Sequence, residues 1–117
     1  MHTRQLGLLG ERIAETYLEI KGFQVVRRNF RYAGREIDLI VRKGRLLAAV
    51  EVKLRRTDRF GVAAAAVDRK KLERIRVALQ GYMSGIREAL IPRIDMVVID
   101  FTDPAGDMRV SHLEGVY

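Results

Sequence analysis

Residues 35–56 read REIDLIVRKGRLLAAVEVKLRR. Two apolar runs, residues 37–41 and 46–54, flank Lys43 and Gly44, and this pattern predicts two strands joined by a tight turn. The Lys-Gly pair is a weaker turn signal than Asn-Gly. Four charged side chains lie in or beside the apolar runs: Glu36, Asp38, Glu51 and Lys53. Charged groups on strands that enter a core require a partner or a function.

The register of this hairpin decides whether the charges meet. With Lys43 and Gly44 as the only turn residues, Asp38 opposes Ala49 and Glu36 opposes Glu51. Side chains alternate along a strand, and directly opposed residues point to the same side of a sheet. All four charged side chains are therefore expected on one face, around Ala49. A three-residue loop would shift the register by one and scatter them.

The rest of the chain supplies two helices and three more strands. Helices are predicted over residues 5–21 and 67–83 from apolar residues at helical spacing, and further strands over residues 23–31, 93–101 and 108–117. A polar loop is expected at residues 55–61 and a turn at residues 103–106. The predicted fold class is α/β, a central mixed sheet flanked by helices in the order α-β-β-β-α-β-β.

Composition limits the functional classes. The 117 residues are 48% hydrophobic and fit one domain, residues 1–117. The net charge is +7, and residues 27–76 hold 16 of the 22 Lys and Arg but only 6 of the 15 acids. This clustering favours nucleic acid as a partner over an anionic membrane, although solvated surface faces explain most charge runs. No cysteine is present, which excludes disulfides and thiolate metal sites.

The sequence shows neither a signal peptide nor an apolar run long enough for a membrane helix, so a cytoplasmic protein without a membrane partner is expected.

The acid cluster favours a metal site. Like charges placed opposite each other in a sheet destabilise it, and a half-buried carboxylate without a partner is costly. Lys53 can neutralise only part of the charge, whereas a divalent cation would neutralise all of it. Carboxylate oxygens suit magnesium, and the lack of cysteine or paired histidines argues against structural zinc. The alternative is that these charged residues form an ordinary solvated strand face. The apolar residues on both sides of Glu51 count against this alternative.

An acid on one strand, a turn and Glu-x-Lys on the next strand together resemble the PD-(D/E)xK nuclease superfamily. The whole chain is similar to the YraN-type family of small bacterial proteins, on the stretches GERIAETYLEIKGF, RNFRYAGREIDLI, VEVKLRR, AVDRKKLERIRVALQGYM, RIDMVVID and VSHLEGVY. The resemblance implies a restriction-endonuclease-like fold. Two departures lie beside the site, because Arg35 stands where the family usually has glycine and Ile37 where the superfamily has proline.

The resemblance also implies residue roles. Asp38, Glu51 and the backbone carbonyl of Val52 would hold Mg²⁺ or Mn²⁺, and Lys53 would position the attacking water or offset developing charge. Glu11 matches a helix glutamate of archaeal Holliday-junction resolvases, and either Glu11 or Glu36 would hold or orient a second metal.

Basic residues near this motif are expected to steer a nucleic-acid backbone: Arg55, Arg56, Arg59, Lys70 and Lys71. For Lys70 and Lys71, a solvated start of the second helix is an equally good explanation. His2 and His112 are isolated, and a structural role is expected for His112 and for Asp95.

Three functions follow as hypotheses. The first is a magnesium-dependent endonuclease that hydrolyses phosphodiester bonds in DNA, of branched or otherwise structured form. The second is a non-catalytic nucleic-acid-binding protein of the same fold. The third, a small basic scaffold on ribosomal RNA, leaves the acid cluster unexplained. A homodimer is expected by analogy with junction resolvases.

Overall fold

A computed structural model of the protein describes residues 3–56, 67–102 and 106–117. Its elements, in chain order, are α1 (Thr3–Ile20), β1 (Gln24–Tyr32), β2 (Arg35–Lys43), β3 (Leu46–Arg56), α2 (Arg69–Met83), β4 (Ile91–Phe101) and β5 (Met108–Leu113). The predicted order α-β-β-β-α-β-β is confirmed. Neither helix of the described residues is long and apolar enough to cross a membrane.

The strands form one mixed sheet in the order β1-β2-β3-β4-β5. All neighbours pair antiparallel except β3 and β4, which run parallel from Leu46 opposite Ile91 to Arg56 opposite Phe101. Parallel neighbours need a long crossover connection, and α2 lies in the segment between these two strands.

The two helices cover opposite faces of the sheet. Ala14 and Leu18 of α1 pack on one face with Ala48 and Val50 of β3. Leu72, Ile75 and Leu79 of α2 pack on the other face with a second buried cluster that includes Leu47 and Ala49. Alternation along β3 therefore sends the odd-numbered residues, and with them Glu51, toward the α2 side.

Local signals fix the helix ends. Gly22 ends α1 with a φ of +95°, and the N–H groups of Gly22 and Phe23 donate to the carbonyls of Glu19 and Leu18. Asp68 caps the start of α2, where its side chain accepts hydrogen bonds from two backbone N–H groups. Because of this cap, α2 starts at Arg69 and not at the predicted residue 67.

The turn between β2 and β3 differs from the prediction. The turn residues are Gly44 and Arg45, and Lys43 pairs with Leu46. Gly44 has a φ of +60°, which suits glycine as the first residue of a two-residue hairpin loop. The loop keeps its even length, but the register moves by two residues. Ile40 therefore opposes Ala49, and the predicted pairings of Asp38 with Ala49 and of Glu36 with Glu51 are wrong.

The last strand is shorter than predicted, because β5 ends at Leu113. The following tail bonds to β4 instead: Gly115 N–H donates to Asp95 Oδ1 at 3.0 Å, and Val116 N–H donates to the Ile94 carbonyl at 2.9 Å. Of the predicted turn at residues 103–106, only Gly106 lies within the described residues, as do only Arg55 and Arg56 of the predicted loop at residues 55–61.

Asp95 anchors this tail from inside the sheet. Its fully buried carboxylate accepts two hydrogen bonds from Arg93 at 2.8 Å each and lies 2.9 Å from Nε2 of His112. Nδ1 of His112 lies 2.6 Å from the ammonium of Lys21, a pure donor, so Nε2 carries the proton donated to Asp95. Burial raises the pKa of Asp95, but the hydrogen bonds from His112, Arg93 and Gly115 outweigh it and lower the pKa to about 2.

Replacing Asp95 by Asn should destabilise the fold by about 3 kcal/mol, because Arg93 and the buried His112 lose their anionic acceptor. Urea unfolding at pH 7 measures this, with Glu114→Gln as the matched control. Glu114 pairs with the same arginine but is half exposed, so its loss should cost less than about 1 kcal/mol. Equal effects of the two variants would contradict this role of Asp95.

Candidate functional site

The candidate site lies where β2 and β3 separate. The last residue pair between them is Leu39 with Val50. Beyond this pair, β2 stays bonded to β1 and β3 stays bonded to β4. Asp38 occupies the gap, and its Oδ2 accepts the backbone N–H of Val52 at 2.8 Å. A side-chain carboxylate thus replaces the next backbone bond of the ladder.

Side-chain alternation breaks at this point of β2. Ile37 and Ile40 both belong to the buried cluster on the α2 side, whereas Leu39 packs on the α1 side. The expected single face of charges around Ala49 is therefore wrong at Asp38, which points along the sheet into the gap toward Val52. The reason is the hydrogen bond to Val52 N–H, which simple alternation does not include.

Glu51 is the buried acid of the site. Only 8% of its side chain is exposed, and its Oε2 lies 3.2 Å from the ammonium of Lys71 on α2. Burial is the largest cause that raises the pKa of Glu51, followed by its hydrogen bond to Asp38 and the charge of Asp38. Lys71 opposes these effects only in part, so the pKa of Glu51 rises from 4.5 to about 8.

The two acids line a cavity of about 590 Å³ between the tip of the β1–β2 hairpin and the first turns of α2. Its lining also includes four cations, Arg35, Lys70, Lys71 and Arg74, and two more acids, Glu36 and Asp68. A smaller cavity of about 160 Å³ adjoins Glu51 and is also lined by Lys53 and Lys71. The arrangement brings the two carboxylates and four cations into one cavity, where the acids could hold a metal ion and the cations could contact a phosphate group.

The other expected catalytic residues, Lys53, Glu36 and Glu11, line three different cavities. Lys53 is exposed and lines the smaller cavity with Glu51. Glu36 lines the larger cavity, and its carboxylate lies 3.6 Å from Arg31. Glu11, on α1, lines a separate groove, and its pKa is raised by burial first and then by the charges of Asp38 and Glu36. The charges of Asp38 and Glu36 therefore reach Glu11 electrostatically, although α1 covers the face of the sheet opposite to α2.

Asp38 and Glu51 supply oxygen donors, which suit a hard cation such as magnesium. Over residues 3–56, 67–102 and 106–117, no three His, Asp or Glu side chains are grouped so that they could hold a metal ion. Magnesium binds through one or two carboxylates and keeps several waters. The N–H and C=O of one strand residue point to the same side, so the Val52 carbonyl faces the gap that holds Asp38.

The residues expected to contact nucleic acid lie in different environments. Arg55 is held by the buried Asp100 through two hydrogen bonds of 2.7 and 3.1 Å. Arg56 lies over the ring of Phe101, 5.5 Å from its centre. Lys70 is exposed at the mouth of the larger cavity. Arg59 lies outside the described residues.

Three cavity residues were missed from the sequence. Arg74 follows Lys70 by four residues and Lys71 by three, so helical spacing places all three on one side of α2. Asp68 lines both cavities, and the sequence prediction, which began the helix at residue 67, did not identify it as the residue before the helix. Arg35 stood out only as a departure from the glycine usual in the family, and the fold of the hairpin tip brings it to the cavity.

Comparison with known proteins identifies relatives of similar length. The model of the uncharacterised protein family UPF0102 matches residues 10–99. A UPF0102 protein of Beutenbergia cavernae is 43% identical over 112 residues, which cover 95% of this chain and 94% of that protein. Another, from Carboxydothermus hydrogenoformans, is 34% identical over 117 residues, covering 99% and 98% of the two chains.

The raised pKa of Glu51 predicts a pH-dependent cost. A carboxyl group whose folded pKa lies above its unfolded value stabilises the fold fully below about pH 4.5, and this contribution is lost as pH rises toward 8. Without divalent metal, Glu51→Gln should therefore be more stable than the wild type at pH 8.5, by about 2–4 kcal/mol, and closely matched at pH 5.

Urea unfolding in a chelating buffer at both pH values measures this difference. The exposed Glu88, whose pKa is lowered by its hydrogen bond to Arg42, provides the control Glu88→Gln, which should show no such gain at high pH. A Glu51→Gln variant that is no more stable than the wild type at pH 8.5 would contradict the assignment.

Proposed function

The chain belongs to the UPF0102 family, and we propose that it is a magnesium-dependent endonuclease acting on DNA. Membership confirms the resemblance to the YraN-type family. The wider relation to PD-(D/E)xK nucleases, the restriction-endonuclease-like fold and a preference for branched or structured DNA are parts of the proposal. The observation that carries it is the pair Asp38 and Glu51, side by side under a mouth lined with cations.

The carboxylate pair supports a divalent cation in this position. Asp38 and Glu51 repel each other when both are charged, and the ammonium of Lys71, 3.2 Å from Glu51, offsets this charge only in part. A hard cation compensates two carboxylates at once. Asp38, Glu51 and the Val52 carbonyl would hold it. Bound there, Mg²⁺ or Mn²⁺ would supply an activated water and offset the charge that develops on the scissile phosphate.

The residues of the chain would position the reactants. The N–H of Val52 holds Asp38 Oδ2 in the gap between the strands, which orients the other carboxylate oxygen. Lys53 lies on the same strand as Glu51, two residues further, and can offer its ammonium to a water or to a phosphate oxygen. Glu36 and Glu11 would act at longer range, through their charge near Asp38.

The cations of the cavity mouth support a polyanionic substrate. Arg35, Lys70 and Arg74 line the same cavity as the two acids, and in this proposal they contact the phosphates next to the scissile one. Each contact with a phosphate releases condensed counterions, so binding should weaken steeply as salt rises. Arg55 and Arg56 follow Lys53 on β3, although Arg55 also pairs with Asp100.

The alternative is a nucleic-acid-binding protein of the same fold that does not cleave. The ion pair between Lys71 and Glu51 favours it, because this pair partly satisfies the buried acid without a metal. The two functions share the cationic mouth and differ in the need for Asp38 and Glu51.

A cleavage assay separates them. With Mg²⁺ or Mn²⁺, the wild type should cut at least one of duplex, single-stranded and four-way-junction DNA. Asp38→Asn and Lys53→Met should each lower the rate by about 100-fold or more, since each removes a group beside the reacting atoms. Glu88→Gln, an exposed acid paired with Arg42, is the matched control and should cut normally.

Equal cutting by Asp38→Asn and the wild type would refute the catalytic claim and indicate a contaminating nuclease. Salt-sensitive binding without cutting would select the binding protein. A homodimer, expected by analogy with junction resolvases, would appear by light scattering at the assay concentration.

A further inference from the structure

We propose that Lys71 is an exchangeable counter-ion that holds the place of the divalent cation at Glu51 and moves to a substrate phosphate when the cation binds. The inference rests on the proposed function for the identity of the cation. It adds a role for a lysine of α2, separate from that of Lys53 on β3.

The geometry sets Lys71 apart from its neighbour on the helix. Its ammonium lies 3.2 Å from Oε2 of Glu51, whose side chain is only 8% exposed, whereas the Lys71 side chain itself is 58% exposed. Within the described residues, the adjacent Lys70 has no ion pair, although it lines the same cavity. The ammonium of Lys71 therefore contacts the buried acid, while more than half of the lysine side chain is exposed. The side chain has room to turn outward, away from Glu51.

The backbone of Lys71 is fixed while its tip can move. The side chain of Asp68 accepts the backbone N–H groups of Lys70 and Lys71 at 3.1 and 3.4 Å, which holds the first turn of α2 in place. Two cavities meet at this lysine, the one that contains Asp38 and the smaller one that contains Lys53. The ammonium can thus leave Glu51 for the open cavity without any change in the helix.

Charge explains why Lys71 and a metal would exclude each other. When both carboxylates are ionised and no metal is bound, Asp38 and Glu51 attract the ammonium of Lys71. A divalent cation brings the net charge of the two carboxylates to zero, which removes that attraction, and the cation repels the ammonium at close range. Lys71 thus stabilises the metal-free site more than the metal-bound one, and it lowers the affinity for the cation.

The released ammonium would then serve the substrate. Once away from Glu51, Lys71 joins Arg35, Lys70 and Arg74 at the mouth of the cavity and can contact a phosphate. Metal binding should therefore strengthen nucleic-acid binding in part by freeing this lysine. By linkage, nucleic acid should strengthen metal binding to the same degree.

The first test is Mn²⁺ titration by calorimetry with the full chain at constant pH, without nucleic acid. Lys71→Met should bind Mn²⁺ about threefold to tenfold more tightly than the wild type, because the competing ammonium is gone. Lys71→Gln should behave in the same way, and circular dichroism should show the wild-type fold for both. Arg69→Met, at an exposed position on the same helical turn that lines neither cavity, is the matched control and should leave the affinity unchanged.

The second test measures the affinity for a labelled DNA duplex by fluorescence anisotropy, with Ca²⁺ or with chelator. Lys71→Met should lose affinity mainly in Ca²⁺, so that the metal-dependent gain shrinks about threefold or more. Lys70→Met should lose the same factor in both buffers.

The outcomes separate this inference from the proposed function. If the wild type binds Mn²⁺ and Lys71→Met binds it equally or more weakly, Lys71 does not compete with the cation. The counter-ion exchange is then wrong, and the nuclease proposal still stands. A wild type that binds no Mn²⁺ overturns both. If Lys71→Met binds Mn²⁺ more tightly but gains as much DNA affinity from metal as the wild type does, the movement of Lys71 to a substrate phosphate is wrong.

Discussion

The hydrogen bond from Val52 N–H to Asp38 Oδ2 is the interaction on which the site depends. It takes the place of a ladder bond at the point where β2 leaves β3. Each strand stays paired on its other side, so the sheet remains continuous around the gap. A carboxylate that ends a ladder in this way is fixed in the plane of the sheet, where it meets the buried Glu51.

The burial of Glu51 gives the site its chemical character. A solvated pair of acids would simply be ionised, whereas here burial and the neighbouring Asp38 raise the pKa of Glu51 to about 8. Lys71 reaches the pair from α2 and compensates it incompletely. When Glu51 is ionised, the acid pair is therefore short of positive charge, and four cations line the same cavity. This imbalance is the physical basis for proposing both a divalent cation and a polyanionic substrate.

Much of this could be predicted from the sequence because charged residues in apolar strands are conspicuous. Asp38, Glu51 and Lys53 stand out for that reason, and alternation with helical periodicity gives the element order. The register could not be predicted, because the turn begins at Gly44, whose positive φ the sequence only permits. The pairing of Lys71 with Glu51 also escaped prediction, since it depends on how α2 packs on the sheet.

The most direct test of the account is the position of a bound metal in a crystal of the protein soaked with Mn²⁺. The account predicts one strong anomalous peak between Asp38 and Glu51, with carboxylate oxygens about 2.1 Å away, as for a hard octahedral cation. The ammonium of Lys71 should then lie farther from Glu51 than 3.2 Å. No peak at this pair, under conditions where Mn²⁺ supports DNA cleavage, would contradict it.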